Sequence, residues 1–136
     1  MSNLQNKSGI NLTSARLLYD KAFFPPVAHC SYYACYQMFK HLWLYKMNKT
    51  QAELDVLNHQ KREGSHEVLI NEILKFIKNS EKINRHDDFR ALNTDILLLK
   101  KLRTKADYDD SDFDSSNSAK AISLSDEIMP LLKKYQ

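Results

Sequence analysis

The chain has 136 residues, of which 43% are hydrophobic and 27% charged, with a formal net charge of +3. It is one domain long and apolar enough to close a core, which excludes a disordered chain. The small positive excess permits contact with nucleic acid without requiring it. Two glycines and three prolines cannot supply the turn every ~8–12 residues that a sandwich or barrel needs. The expected fold is therefore all-α: an up-and-down bundle of four long helices plus a C-terminal fifth.

Residues 1–10 read as a flexible polar N-terminal tail, leaving 11–136 as a single helical-bundle domain. Residues 11–24 form a first helix, with Leu12, Ala15, Leu18, Tyr19 and Ala22 at three- and four-residue spacing. Pro25 and Pro26 break it and suit the first turn of the next helix. That second helix, about 26–47, is apolar nearly all round and should be the most buried. Thr50 followed three residues later by Glu53 is a capping-box pattern for a short helix to about Asn58. Ser65 caps a third long helix to about Lys78, striped by Leu69, Ile70, Ile73, Phe76 and Ile77. After a polar loop, Asp87 or Asp88 caps a fourth long helix to about Tyr108. Its stripe is Phe89, Leu92, Ile96 and Leu99, and the same rhythm then reaches Arg103 and Ala106. Residues 109–118 are a Ser/Asp loop, and the last helix covers about 119–135, where Pro130 is expected to kink it or end it early.

Cys30 and Cys35 stand five apart, ~140° round a helix, so free thiols are expected rather than a disulfide or a metal pair. Met1 to Lys7 is polar and lacks the apolar core of a signal sequence. No apolar run approaches the ~20 residues of a membrane span. A cytoplasmic chain with no membrane partner is the expectation.

Arg103 is the residue that breaks a pattern. An arginine on an apolar stripe must find a partner, because an unpaired buried charge is costly. Asp107, four residues on, is within reach. The plain reading is a partly buried ion pair with Tyr108 packed over it. The functional reading is a phosphate-binding or catalytic arginine, since guanidinium grips phosphate through a planar fork.

Three segments carry a resemblance: Ser31-Tyr32-Tyr33-Ala34 in the second helix, Ser65-His66 opening the third, and Leu102-Arg103-Thr104-Lys105-Ala106-Asp107-Tyr108 ending the fourth. Together, over roughly residues 10–135, they resemble the HEPN superfamily of small bacterial and archaeal helical proteins, in its branch with YYA and R-x-x-A-D-Y motifs. The resemblance implies an up-and-down bundle that pairs as a homodimer. It also implies a minimal nucleotidyltransferase as partner, often as a toxin–antitoxin pair, and RNA or a nucleotide as ligand. Active members cleave RNA without a metal, using an arginine followed after four to six residues by a histidine.

The sequence departs from that motif. Where the histidine should fall it has Tyr108, Asp109 and Asp110. An imidazole titrates near neutrality and can serve as both acid and base. A phenol near pKa ~10 or a carboxyl near ~4 is a poor substitute. The expected role is thus a non-catalytic or weakly catalytic partner protein in a nucleotide- or RNA-linked system. Two alternatives stand beside it: a metal-independent ribonuclease using Arg103 with Asp107 and Tyr108, and an interaction module with no nucleic-acid role. The candidate catalytic residues are Arg103, Asp107 and Tyr108. The candidate ligand-binding residues are Arg103, Lys105, His66 and Tyr33, and His66 could approach the fourth helix across a dimer.

Neither a metal site nor a cofactor is expected. An EF-hand loop starting at Asp110 would need Gly and Glu where the chain has Ser115 and Ala121, so the five aspartates from Asp107 to Asp114 read as a solvated loop. The five histidines show no paired i, i+4 spacing, and Gly9 and Gly64 alone cannot build a glycine-rich phosphate loop. The aromatic set Tyr32, Tyr33, Tyr36, Phe39, Trp43 and Tyr45 could stack bases; core and dimer packing explains it with less.

Overall fold

The computed structural model describes residues 1–136. It contains six α-helices and no strand: α1 (Asn3–Asp20), α2 (Phe24–His41), α3 (Gln51–Lys61), α4 (Ser65–Lys78), α5 (Arg85–Tyr108) and α6 (Ser115–Lys134). Helix α2 is continued by one π-helical stretch, Leu42–Lys46. No helix is long and apolar enough to cross a membrane.

As its composition suggests, α2 is the central element. It packs against α1, α4, α5 and α6, and Ala28, Tyr32, Cys35, Met38 and Phe39 are all buried. Around them close Ile73 and Ile77 from α4, Leu92, Ile96 and Leu99 from α5, and Leu124, Ile128 and Leu132 from α6. The π stretch turns Trp43 so that its Nε1 donates to the Thr50 carbonyl at 2.9 Å, fastening the start of α3. Cys35 is buried, Cys30 is half-buried and both are free thiols.

The N-terminal tail is the first correction, since residues 3–10 are helical. Ser2 caps α1, accepting from the Gln5 N–H at 3.1 Å, and Gln5 Oε1 accepts in return from the Ser2 N–H at 2.9 Å. Ser8, 1% exposed, donates to the Ala34 carbonyl at 2.7 Å. Ser2 Oγ also meets His41 Nδ1 at 2.8 Å. Polar side chains here are anchors onto α2 rather than signs of disorder. At its other end α1 stops at Asp20, before the prolines, where Ala22 adopts φ 61. Pro25 and Pro26 then sit in the first turn of α2.

Three further helix ends differ from expectation. Gly64, not Ser65, is the cap of α4, and its N–H is taken by the Glu67 carboxylate at 3.3 Å. Helix α5 starts at Arg85 after Asn84, because Asp88 faces inward instead of capping. Its Oδ2 accepts from Lys134 Nζ at 2.8 Å and Tyr135 Oη at 2.6 Å, tying the start of α5 to the end of α6. Helix α6 begins four residues early, where Asp114 and Asn117 form a reciprocal cap. Pro130 does not end it. The proline removes a single backbone donor, while Met129 and Leu132 on either side are buried in the core and hold the helix in place.

Candidate functional site

One residue on α5 gathers polar groups from three helices. Arg103 continues the buried stripe, and its side chain is only 14% exposed. Its Nη1 approaches Asp107 Oδ2 at 3.5 Å. The ion pair expected from the i, i+4 spacing is therefore present but long. The buried Nε has no hydrogen-bond partner at all. A guanidinium is thus held in a largely enclosed place with its Nε unpaired and one long ion pair at Nη1.

Its other neighbours are rings. The guanidinium carbon lies 4.9 Å from the centroid of Tyr32 and 5.7 Å from that of Tyr33, both on α2. These are cation–π distances. Tyr108, expected to cover the ion pair, does not do so: it is 75% exposed. Helix α5 ends at Tyr108 and the backbone turns extended at Asp109, so the phenol is carried off the bundle, and the tyrosines of α2 take the covering role.

His66 enters from the first turn of α4. Its ring stacks on Tyr36 at 4.0 Å and 24° and meets Tyr33 edge-on at 5.6 Å. Its Nδ1 is 2.9 Å from Tyr32 Oη. Burial pushes the Tyr32 phenol far above its usual pKa, against the pull of Arg103. The same cause lowers that of His66, helped by the positive charges of Arg103 and Lys100. A protonated phenol beside a neutral imidazole donates to Nδ1, which leaves the ring proton on Nε2. His66 thus reaches this cluster within one chain, with no second copy needed.

A second imidazole arrives from α2. His29 Nδ1 is 3.5 Å from the same Asp107 Oδ2 that faces Arg103, and its ring lies 4.7 Å from that of Tyr33. So although no histidine follows Arg103 at the expected distance along the chain, the fold supplies two from elsewhere. His29, Tyr32 and Tyr36 were missing from the sequence-derived site. The spacing His29-x-x-x-Tyr33 and Tyr32-x-x-x-Tyr36 puts each pair on one helical face and is the signal that could have found them.

Lys105 does not join the rings. It lines a shallow basin of about 370 Å³ beside them, with Lys100, Lys101, Thr104, Glu67 and Asp109. Lys100 Nζ also binds Glu67 Oε1 at 2.7 Å, and that hydrogen bond holds the Glu67 carboxyl below its usual pKa. It clamps the start of α4, and with it His66, against α5. Asp109, Asp110 and Asp112 are exposed, Asp114 is the cap of α6, and nowhere do three His, Cys, Asp or Glu side chains gather as a metal would require. The aromatic set divides: Tyr32, Phe39 and Trp43 are core, Tyr33 and Tyr36 are half-buried at the site, and Tyr45 is 60% exposed. A larger groove of about 860 Å³ lies elsewhere, along α1 and the end of α6; it holds none of these groups.

Chemically, the cluster offers a loosely paired guanidinium to an anion, ring edges to a planar group, and imidazole nitrogens as hydrogen-bonding groups. Comparison with protein-family models, curated proteins and solved structures found nothing that matches the chain.

Proposed function

We propose that this protein is a HEPN-like bundle, four long helices plus a C-terminal fifth, that binds a phosphate-bearing ligand, a nucleotide or RNA, at Arg103. In this reading it is a non-catalytic or weakly catalytic homodimeric partner in a nucleotide- or RNA-linked system, the companion of a minimal nucleotidyltransferase. The observation that carries the reading is the under-used guanidinium of Arg103, with a buried Nε lacking any partner and only a 3.5 Å approach to Asp107. A structural arginine this enclosed would be expected to fill its donors, whereas a binding arginine keeps them for its ligand. Tyr33, Tyr36 and His66 offer stacking surfaces beside it, and Lys105 adds charge in the neighbouring basin. The convergence of the YYA, Ser-His and R-x-x-A-D-Y segments at one place supports the reading further. The test is binding of a fluorescein-labelled single-stranded RNA of about ten nucleotides, read by anisotropy at low salt. Wild-type protein should bind, and Arg103→Ala should weaken binding at least tenfold while keeping its helical circular dichroism. Equal binding by the two proteins would overturn the assignment.

A second reading is favoured by one observation: two imidazoles reach the immediate neighbours of Arg103, His66 at Tyr32 and His29 at Asp107. In it the protein is a metal-independent ribonuclease, with His66 or His29 taking the acid–base role that Asp107 and Tyr108 are poorly suited to fill. RNA incubated with the protein in EDTA separates the two. Cleavage abolished by both Arg103→Ala and His66→Gln would establish the ribonuclease; intact RNA after hours would leave the binding role.

A further inference from the structure

Asp107 is a shared counterion. Its Oδ2 lies 3.5 Å from Arg103 Nη1 on its own helix and 3.5 Å from His29 Nδ1 on α2. Tyr33 is shared as well, 4.7 Å from the His29 ring and 5.7 Å from the guanidinium. The imidazole and the guanidinium therefore compete for one carboxylate oxygen over one aromatic ring. We propose that His29 is a proton-driven release for Arg103: when His29 takes up a proton, it draws Asp107 to itself and frees the guanidinium for an anion. The proposal rests on the reading of Arg103 as an anion-binding group and adds the regulation of that site.

The charges explain the direction. With His29 neutral, Arg103 and Asp107 sum to zero, and an arriving anion meets an arginine already partly neutralised. With His29 protonated the trio carries +1, and Asp107 is divided between two cations. His29 is half exposed, its side chain 52% accessible, so its proton exchanges directly with solvent. Its direct neighbours are Tyr33 on α2 and Asp107 on α5. One contact further out are Arg103, which faces the same Asp107, and Tyr32 and His66, which both meet Tyr33, with the Glu67–Lys100 pair at the first turn of α4. Of these His66 is the second imidazole, so the two histidines must be separated by substitution. Linkage adds a reciprocal requirement: whatever factor the proton adds to anion affinity, the bound anion adds to the proton affinity of His29. One added charge at this degree of exposure is worth roughly three- to tenfold in affinity.

The probe is inorganic sulfate, whose charge is constant between pH 5.5 and 7.5, titrated by calorimetry at low ionic strength. Wild-type protein should bind it about three- to tenfold more tightly at pH 5.5 than at pH 7.5. His29→Gln should lose most of that step, and His66→Gln should keep it. Asp107→Asn should bind at pH 7.5 about as tightly as wild type does at pH 5.5, since its carboxamide no longer holds the guanidinium. Circular dichroism of each variant checks the fold. Sulfate binding that needs Arg103 but whose pH step survives both His29→Gln and Asp107→Asn would overturn the release and leave the binding site standing. Absence of sulfate binding at either pH would remove both.

Discussion

Replacing Arg103 by methionine asks whether this arginine holds the fold or serves a ligand. Methionine keeps an unbranched stem of similar reach and removes the charge. Two cation–π contacts are lost, at 4.9 and 5.7 Å, worth about 0.5–1 kcal/mol each. The long ion pair to Asp107 adds about 0.5 kcal/mol. Against these stands the relief of a buried Nε with no partner, about 1–3 kcal/mol. Asp107 is not stranded, because His29 remains beside it. The terms nearly cancel, and Arg103→Met should lie within about 1 kcal/mol of wild type, or roughly 4 °C in Tm for a chain of this length. Urea denaturation at pH 7.5, followed by circular dichroism, measures this. A loss above about 3 kcal/mol is what breaking a well-satisfied buried ion pair costs, and it would show that Arg103 is a structural residue.

Other substitutions probe the frame around the site. Asp88→Asn removes the carboxylate that joins α5 to Lys134 and Tyr135 and should cost about 1–2 kcal/mol at pH 7. Burial opposes the Asp88 charge, but the hydrogen bonds from Lys134 and Tyr135 outweigh it and lower the pKa. The stabilisation is therefore full above the ordinary carboxyl range and should fade as pH falls from about 4 through the lowered pKa. Asp95 has the opposite sign. Burial, then the hydrogen bond and charge of Glu127, push it up to about 6, so the folded state holds its proton more tightly and loses stability as pH rises from about 4 to 6. Asp95→Asn should gain about 1 kcal/mol at pH 7.5 and nothing at pH 4, and equal effects at both pH values would refute the pairing with Glu127. Ser2→Ala should cost about 1 kcal/mol through loss of the α1 cap, whereas a free tail would register no change.

Much of the bundle was legible because helical periodicity reports burial directly. The all-round apolar character of α2 and the stripes of α4 and α5 led to the residues that make the core. What the chain hid was long-range satisfaction of polar groups. Ser8 looks like a tail residue until Ala34 offers its carbonyl, and Asp88 looks like a cap until Lys134 and Tyr135 reach it from the far end of the sequence. The site shows the same division. Arg103 stood out because it broke a local pattern, and Asp107 followed from local spacing. His29 and His66 lie 74 and 37 residues before Arg103 by their numbers, and only the packing of α2 and α4 against α5 brings them in. Tyr108 misled for the converse reason: adjacency suggested contact, but the helix ends there and turns the ring outward.

The central claim, that Arg103 keeps its donors for an anion, is tested most directly by nitrogen-15 NMR of the Arg103 side chain, assigned by comparison with Arg103→Met. In free protein the Nε–Hε signal should be that of a donor sheltered from water but making no hydrogen bond. Adding adenosine monophosphate should shift this signal and those of the Nη groups in a saturable way, together with the His66 ring signals. An Arg103 signal already characteristic of a strong hydrogen bond, and unmoved by nucleotide or RNA, would contradict the account.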